Sequence, residues 1–286
     1  MKSLFIFAAL IFCLLFFCSW GFHAHTRINY LAVLTLPEGM IRFYKSHIGY
    51  LSAHAIDPDK RRYTDPQEGP RHFLDTENYH HCIDSIPRRW EHALEKYGLE
   101  HLQQNGILPW HIQKSYLQLV AAFREQNKRR ILRISAHLAH YVSDAHVPLH
   151  ATRNHNGQYT GQTGIHALWE SLLPELFDKQ FDLITGPAVY VASPLAEAWR
   201  IIATSYELAD SVLRIEAGLS GEFPAYRKYS FTKRKGLLTR NYSPEYAKAY
   251  DQRLNGMVER QMRGAVAMTG SLWYSAWVDA GQPMLE

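Results

Sequence analysis

Apolar residues recur along the chain mostly at helical spacing, and few segments alternate in the manner of strands. Thr26 predicts a cap for a helix that begins Arg27-Ile28-Asn29 and runs to Leu36. Pro37 restarts the helix at a first turn, where its missing N–H costs nothing. Asp57 to Tyr79 is polar, rich in Pro and Gly, and reads as a long loop, a kind of segment that is often functional inside a compact domain. Helices are expected over Pro87–Gln104, Pro109–Gln126 and Lys128–Val147, the last stopped by Pro148. After a glycine-containing loop, His155–Gly164, the pattern predicts helices over Ile165–Phe177 and Pro194–Leu219. Gly221–Asn241 is basic, aromatic and expected to be irregular. Ser243–Ala280 is expected to be largely helical, ending in the apolar stretch Ser271–Trp277. No repeat, low-complexity tract or linker interrupts this series. The expected class is all-α, a single multi-helical domain.

Composition changes the picture in two places. Of the 286 residues 47% are apolar and 20% charged, the balance of a folded globular protein, and a net charge of +4 is too mild to imply nucleic acid or membrane by itself. At the start, Lys2 precedes an unbroken apolar run, Leu4 to Phe17, of 14 residues. That length suits the core of a secretory signal and is short for a membrane span. Cleavage after Ser19 would leave residues 20–286 as the folded domain, exported to a periplasm or secreted. A lipid anchor on Cys18 or an uncleaved membrane anchor is disfavoured, the former because Phe16 and Phe17 are bulky. Beyond this segment only Cys82 remains, so no internal disulfide is expected.

The candidate chemistry lies in the 16 histidines. His140-x3-Asp144-x5-His150 is followed by His166-x3-Glu170, and residues four apart share a helix face. On the Lys128–Val147 helix, Ile131, Ile134, Leu138 and Val142 mark an apolar stripe with His140 and Asp144 on its flank. Neutral imidazole and carboxylate suit a divalent cation such as zinc, and buried carboxylates are costly unless a cation compensates them. Asp57 and His72 flank the long loop, and Trp20-Gly21-Phe22-His23-Ala24-His25 follows the signal. Cleavage before Trp20 would free an α-amine beside His25, able to form a chelate with its own carbonyl.

This set is similar to the zinc-dependent phospholipase C / P1–S1 nuclease superfamily: Trp20, His25, Asp57, His72, His140, Asp144, His150, His166 and Glu170 match its metal-ligand positions in order. The resemblance implies a helical fold around a buried trinuclear zinc site. It implies that Asp57, His72, His140 and Asp144 hold one ion, and that His150, His166 and Glu170 hold a second. The Trp20 amine and carbonyl, His25 and a bridging Asp144 would hold the third. It further implies an exported phosphodiesterase, a hydrolase of phosphoric esters, in which a zinc-activated hydroxide attacks phosphorus in line and Asp57 helps orient or deprotonate the water. Glu170 resembles the phospholipase branch. The short Trp20–His25 spacing and Phe73, matching an aromatic that stacks a nucleobase, resemble the nuclease branch, whose substrate is single-stranded nucleic acid. Asp75 is a candidate to orient a ligand imidazole. Phospholipid head group and nucleic acid thus stay open as substrates, with transient membrane contact conceivable and no stable protein partner implied. A non-catalytic helical metal-binding protein is the third reading.

Overall fold

The computed structural model describes residues 21–79, 83–234 and 237–285. The signal-like segment and Trp20 lie outside the described residues. Helix α1, Phe22–Val33, is followed by α2, Glu38–Ser46, which starts at Pro37 as its proline predicts, then by α3, Ile48–Ala53. The polar stretch expected as a loop holds one short helix, α4, Asp57–Arg61, and two 3-10 turns, Gly69–His72 and Thr76–Tyr79. Next come α5, Trp90–Asn105, α6, Leu108–Arg124, and α7, Lys128–Ala145. Helix α8, Ile165–Ala167, passes through a π-helical turn, Leu168–Leu172, into α9, Leu173–Phe177. The long α10, Pro194–Glu222, and the single turn α11, Ala225–Lys228, precede strands β1, Tyr229–Arg234, and β2, Leu237–Tyr242. Helices α12, Pro244–Leu254, and α13, Met257–Asp279, close the chain. They are split where Asn255 and Gly256 both take positive φ, ending one helix and redirecting the next. The all-α expectation holds, with two corrections. Thr26 does not cap the first helix but lies inside it, since α1 begins four residues earlier at Phe22 with Gly21 as its N-cap. Residues 229–234 and 237–242, in a stretch expected to be irregular, pair as antiparallel strands, Tyr229 with Tyr242 and Phe231 with Arg240.

Helix α7 is the axis of the core. Asn127 caps it by accepting from Arg130 N, and its stripe Ile131, Ile134, Leu138 and Val142 is buried. It packs along α6 and against α1 and α13. Polar ties fix these contacts at depth. Asn29 Nδ2 of α1 donates to Leu51 O at 2.9 Å and Ala136 O at 3.3 Å, and Trp273 Nε1 donates to Ser135 O at 3.1 Å. Ser205 of α10 caps the far end by donating to Ala145 O at 2.6 Å. Every such bond satisfies a group that would otherwise be costly to bury.

The segment running on from His72, between the two 3-10 turns, is held by backbone bonds to distant parts of the chain. Leu74 N donates to His150 O at 2.9 Å, Asp75 N to Asn105 O at 2.8 Å, and Leu108 N to Phe73 O at 3.2 Å. The crossing is tight at Gly106, whose φ is +90° and where a Cβ would stand 2.1 Å from the Phe73 carbonyl oxygen. Only glycine fits there.

Candidate metal centre

Five imidazoles and three carboxylates meet between α1, α4, α7, α8 and the loops ahead of α5 and α8. The donors form three overlapping groups: His25 with His140 and Asp144; Asp59 with His72 and His140; His150 with His166 and Glu170. His25, His72, His140, His150, Asp144 and Glu170 are all buried. His140 and Asp144 reach the centre as one turn of α7, and His166 and Glu170 as one turn through α8 and the π segment. Widened turns of this kind recur at functional sites. Pro148 opens a 3-10 turn that swings His150 back to the same point.

The two buried carboxylates each divide their oxygens. Asp144 Oδ2 faces His72 Nδ1 at 2.9 Å and His140 Nε2 at 3.3 Å, while its Oδ1 faces His25 Nε2 at 3.5 Å. Glu170 Oε1 faces His25 Nε2 at 3.3 Å, while its Oε2 faces His150 Nε2 at 3.4 Å and His166 Nε2 at 2.7 Å. His25 therefore stands between two bridging acids.

Three of the rings have their other nitrogen anchored. His140 Nδ1 lies 2.8 Å from Ala55 O, His150 Nδ1 2.6 Å from His72 O, and His166 Nδ1 3.0 Å from His155 O. A carbonyl only accepts, so each Nδ1 carries a proton, and a neutral ring then turns a bare Nε2 lone pair towards a carboxylate. Lone pairs facing lone pairs call for a cation between them. Protons alone fit less well. The rings of His25 and His140 stack with centroids 4.1 Å apart, an arrangement in which two charged imidazoles repel, and His25 Nδ1 is buried without a hydrogen-bond partner among the described residues. Without a metal, burial works against charge on His72, yet its bond to Asp144 and the nearby Glu68 charge outweigh this and raise it to about 9. Burial would likewise raise Asp144 and Glu170, but the surrounding histidines hold both well below the usual carboxylate range. The donor set therefore fits zinc, which takes neutral imidazole and carboxylate and displaces protons from the former.

The structure corrects the sequence expectation at Asp57. Residues two apart on a single helical turn point to different sides, so α4 can present only one of Asp57 and Asp59 to the centre. Asp57 turns away, 2.5 Å from His54 Nδ1 and 3.4 Å from Lys60 Nζ. Asp59 takes the place, its Oδ1 3.8 Å from both His72 Nδ1 and His140 Nε2. Asp75 is corrected too. The carboxylate behind His72 is Glu68, whose Oε1 lies 3.4 Å from His72 Nε2, an ionic approach rather than an aligned hydrogen bond. Asp75 instead sits near Glu77 and Arg153, and burial with the Glu77 charge pushes it up to about 7. Glu68 is fully buried and receives Tyr141 Oη, Arg61 Nε at 3.2 Å and Arg71 Nη1 at 2.5 Å. Burial opposes its charge, and His72, Tyr141 and Arg61 together keep it ionised. The sequence offers no signal that separates Glu68 from the other acids of that polar stretch.

Of the remaining expected residues, Phe73 is half-buried against Gly106. Gly21, the residue after Trp20, lies at the centre itself: a Cβ there would stand 3.3 Å from Glu170 Oε1 and 3.7 Å from His25 Cδ2. A cleft of about 120 Å³ opens onto the donors, walled by Phe22, Asp59, Arg62, Asp144, His150, His166 and Glu170. Phe22 and Arg62 were not singled out from the sequence. Arg62 Nη1 is 3.9 Å from Asp59 Oδ1, and both residues line the cleft.

No curated protein matches the chain. The family model described as zinc dependent phospholipase C matches residues 24–233, a span that contains every donor of the three groups. The chain belongs to the zinc-dependent phospholipase C family.

Proposed function

We propose that the chain is an exported phospholipase C-type phosphodiesterase that holds three zinc ions and hydrolyses phospholipid at phosphorus. The observation that carries this reading is the divided pair, Asp144 and Glu170, each offering one oxygen to His25 and the other to a second group of imidazoles. Two bridging carboxylates between three clustered donor groups hold several cations close together, which a single structural ion does not need. His72, His140, Asp59 and Asp144 would hold one ion, His150, His166 and Glu170 another, and His25 with Asp144 and Glu170 a third. Bound zinc supplies positive charge that polarises phosphoryl oxygens and acidifies a water.

The protein's own groups orient the reaction. Asp59 borders the cleft with about a fifth of its side chain exposed, so its carboxylate can align a water and accept its proton. Arg62 offers the opposite charge to a phosphate oxygen in the same cleft. In the overall reaction water's oxygen joins phosphorus, the bond to the glycerol oxygen breaks, and that oxygen leaves with a proton. The leaving group departs opposite the entering one. Gly21 against Glu170 supports a further element of the reading: removal of residues 1–19 would free a Trp20 amine one residue from the centre, completing the His25 ion. No described helix is long and apolar enough to cross a membrane.

The test is hydrolysis by the purified mature protein of dispersed short-chain phosphatidylcholine beside single-stranded DNA and RNA. Release of phosphocholine that a chelator abolishes and zinc restores is expected. Cleavage of nucleic acid alone would replace this reading with a nuclease, and zinc binding without turnover on either would make the chain a metal-binding protein.

A further inference from the structure

The positive charge of the chain is concentrated in one place. Between residues 226 and 242 there are six basic residues and no acidic one; the remaining 25 basic residues are outnumbered by 27 acidic ones. This segment is the β1–β2 hairpin with the turn of helix before it. In the antiparallel register Tyr229 and Phe231 lie opposite Tyr242 and Arg240, and Leu238, two residues before Arg240, falls on the same face. The opposite face carries Ser230, Thr232, Thr239 and Asn241, with Asn241 donating to Thr232 at 2.7 Å.

The first face changes character along its length. At the base it is anchored. Tyr242 is buried and stacks on Tyr246, with centroids 5.4 Å apart, and Lys228 lies over the Tyr229, Tyr242 and Tyr246 rings while pairing with Glu216 at 2.9 Å. Further out it is apolar in water: Phe231 is 63% exposed and Leu238 71%, with Tyr226 beside the base at 85%. Arg240 is held among them, its guanidinium 4.4 Å from the Tyr229 ring centroid. An aromatic and a leucine displayed beside Arg240 on this anchored base lie outside the core of the fold. They match the composition of segments that lie in the head-group region of an anionic bilayer. The base also adjoins the catalytic wall. Tyr242 lies 3.5 Å from the Cβ position of Gly164, two residues before His166.

We infer that this hairpin docks the enzyme on an anionic phospholipid surface, its Phe231 and Leu238 entering the interface, Arg240 meeting lipid phosphates and the positive charge of the segment drawing it to the surface. The inference deepens the phospholipase reading and rests on it. Docking here sets the cleft beside the lipid, so that substrate is met at a surface rather than drawn from solution.

The experiment uses zinc-loaded mature protein and the variant Phe231→Ser/Leu238→Ser, whose changes lie on exposed side chains. Sedimentation with vesicles of phosphatidylcholine and phosphatidylglycerol is compared with vesicles of phosphatidylcholine alone. Anionic vesicles are expected to bind the native protein about tenfold more tightly at low salt, with the preference shrinking as salt rises. The variant is expected to lose about tenfold or more in vesicle binding, while hydrolysing dispersed short-chain phosphatidylcholine at the native rate. Equal binding by variant and native protein, indifference to lipid charge, or a parallel loss of turnover on dispersed substrate would each overturn the inference. Vesicle binding with no hydrolysis of any phospholipid would leave the docking surface standing and remove the phospholipase reading instead.

Discussion

Replacing Glu68 with Gln separates the positioning of His72, a proposed zinc ligand, from the stability of the fold. The substitution preserves shape and removes the buried charge that faces His72 Nε2, Tyr141, Arg61 and Arg71. Loss of such a partner behind a ligand weakens metal binding by about 10–100-fold. The 3.4 Å approach to His72 is long, which argues for the lower end, about tenfold or ~1.4 kcal/mol. Stability falls as well, because Arg61 loses its counter-charge and Arg71 keeps only Asp65, 3.5 Å away. Breaking a fully buried pair costs ~3–5 kcal/mol, but Arg61 and Arg71 are 33% and 23% exposed, and solvent screening reduces this to about 1–2 kcal/mol. The assay is a zinc competition titration against a chromophoric chelator, run beside thermal melts of the zinc-free proteins. One binding step is expected to weaken about tenfold while the others stay put. Tyr141→Phe, which leaves the Glu68 charge in place, should shift that step much less. Native affinity at every step in Glu68→Gln, with only the melt lowered, would refute the positioning role.

Asp59→Asn should strip zinc from the His72–His140 group and lower turnover beyond the ~100-fold limit typical of changes behind a ligand, whereas Asp57→Asn should keep both. Metal counting and kinetics on the pair test this. Asp75 is pushed up to about 7, so its protonated form favours the fold at low pH, and that contribution is lost as pH rises through 7. Asp75→Asn should therefore stabilise the protein at pH 8 more than at pH 5, by about 1–2 kcal/mol after discounting for partial exposure, as denaturant melts would record. Chelation should lower the melting temperature steeply. Each ion at a thousandfold excess over its Kd contributes ~4 kcal/mol, worth roughly 2–4 °C per kcal/mol in a chain of this size. Calorimetry with and without chelator that shows the same midpoint would count against zinc at this centre.

Helical periodicity made most of the fold legible, because α6, α7, α10 and α13 bury continuous apolar stripes whose spacing is written in the residues. The hairpin was not legible, since its outer face is exposed and its strands lack the apolar alternation that burial imposes. Within the centre, the turns His140–Asp144 and His166–Glu170 were readable because i and i+4 meet on any helix. Asp57 was not separable from Asp59 by pattern, because which side of α4 faces inward depends on how α4 sits on α7. Glu68 was hidden for the same reason: its role comes from contacts with Tyr141 and His72, and the first of these is 73 residues away. Residues fixed by local geometry could be read from the chain, and those fixed by long-range packing could not.

The central claim is that His25, Asp59, His72, His140, Asp144, His150, His166 and Glu170 cage zinc. Crystals of the mature protein measured on both sides of the zinc absorption edge test it most directly. Three anomalous peaks are expected among these side chains, within ~2.0–2.2 Å of imidazole nitrogens and carboxylate oxygens, with Asp59 rather than Asp57 in contact. Crystals of active protein with no zinc signal there, or with peaks at other residues, would contradict the account.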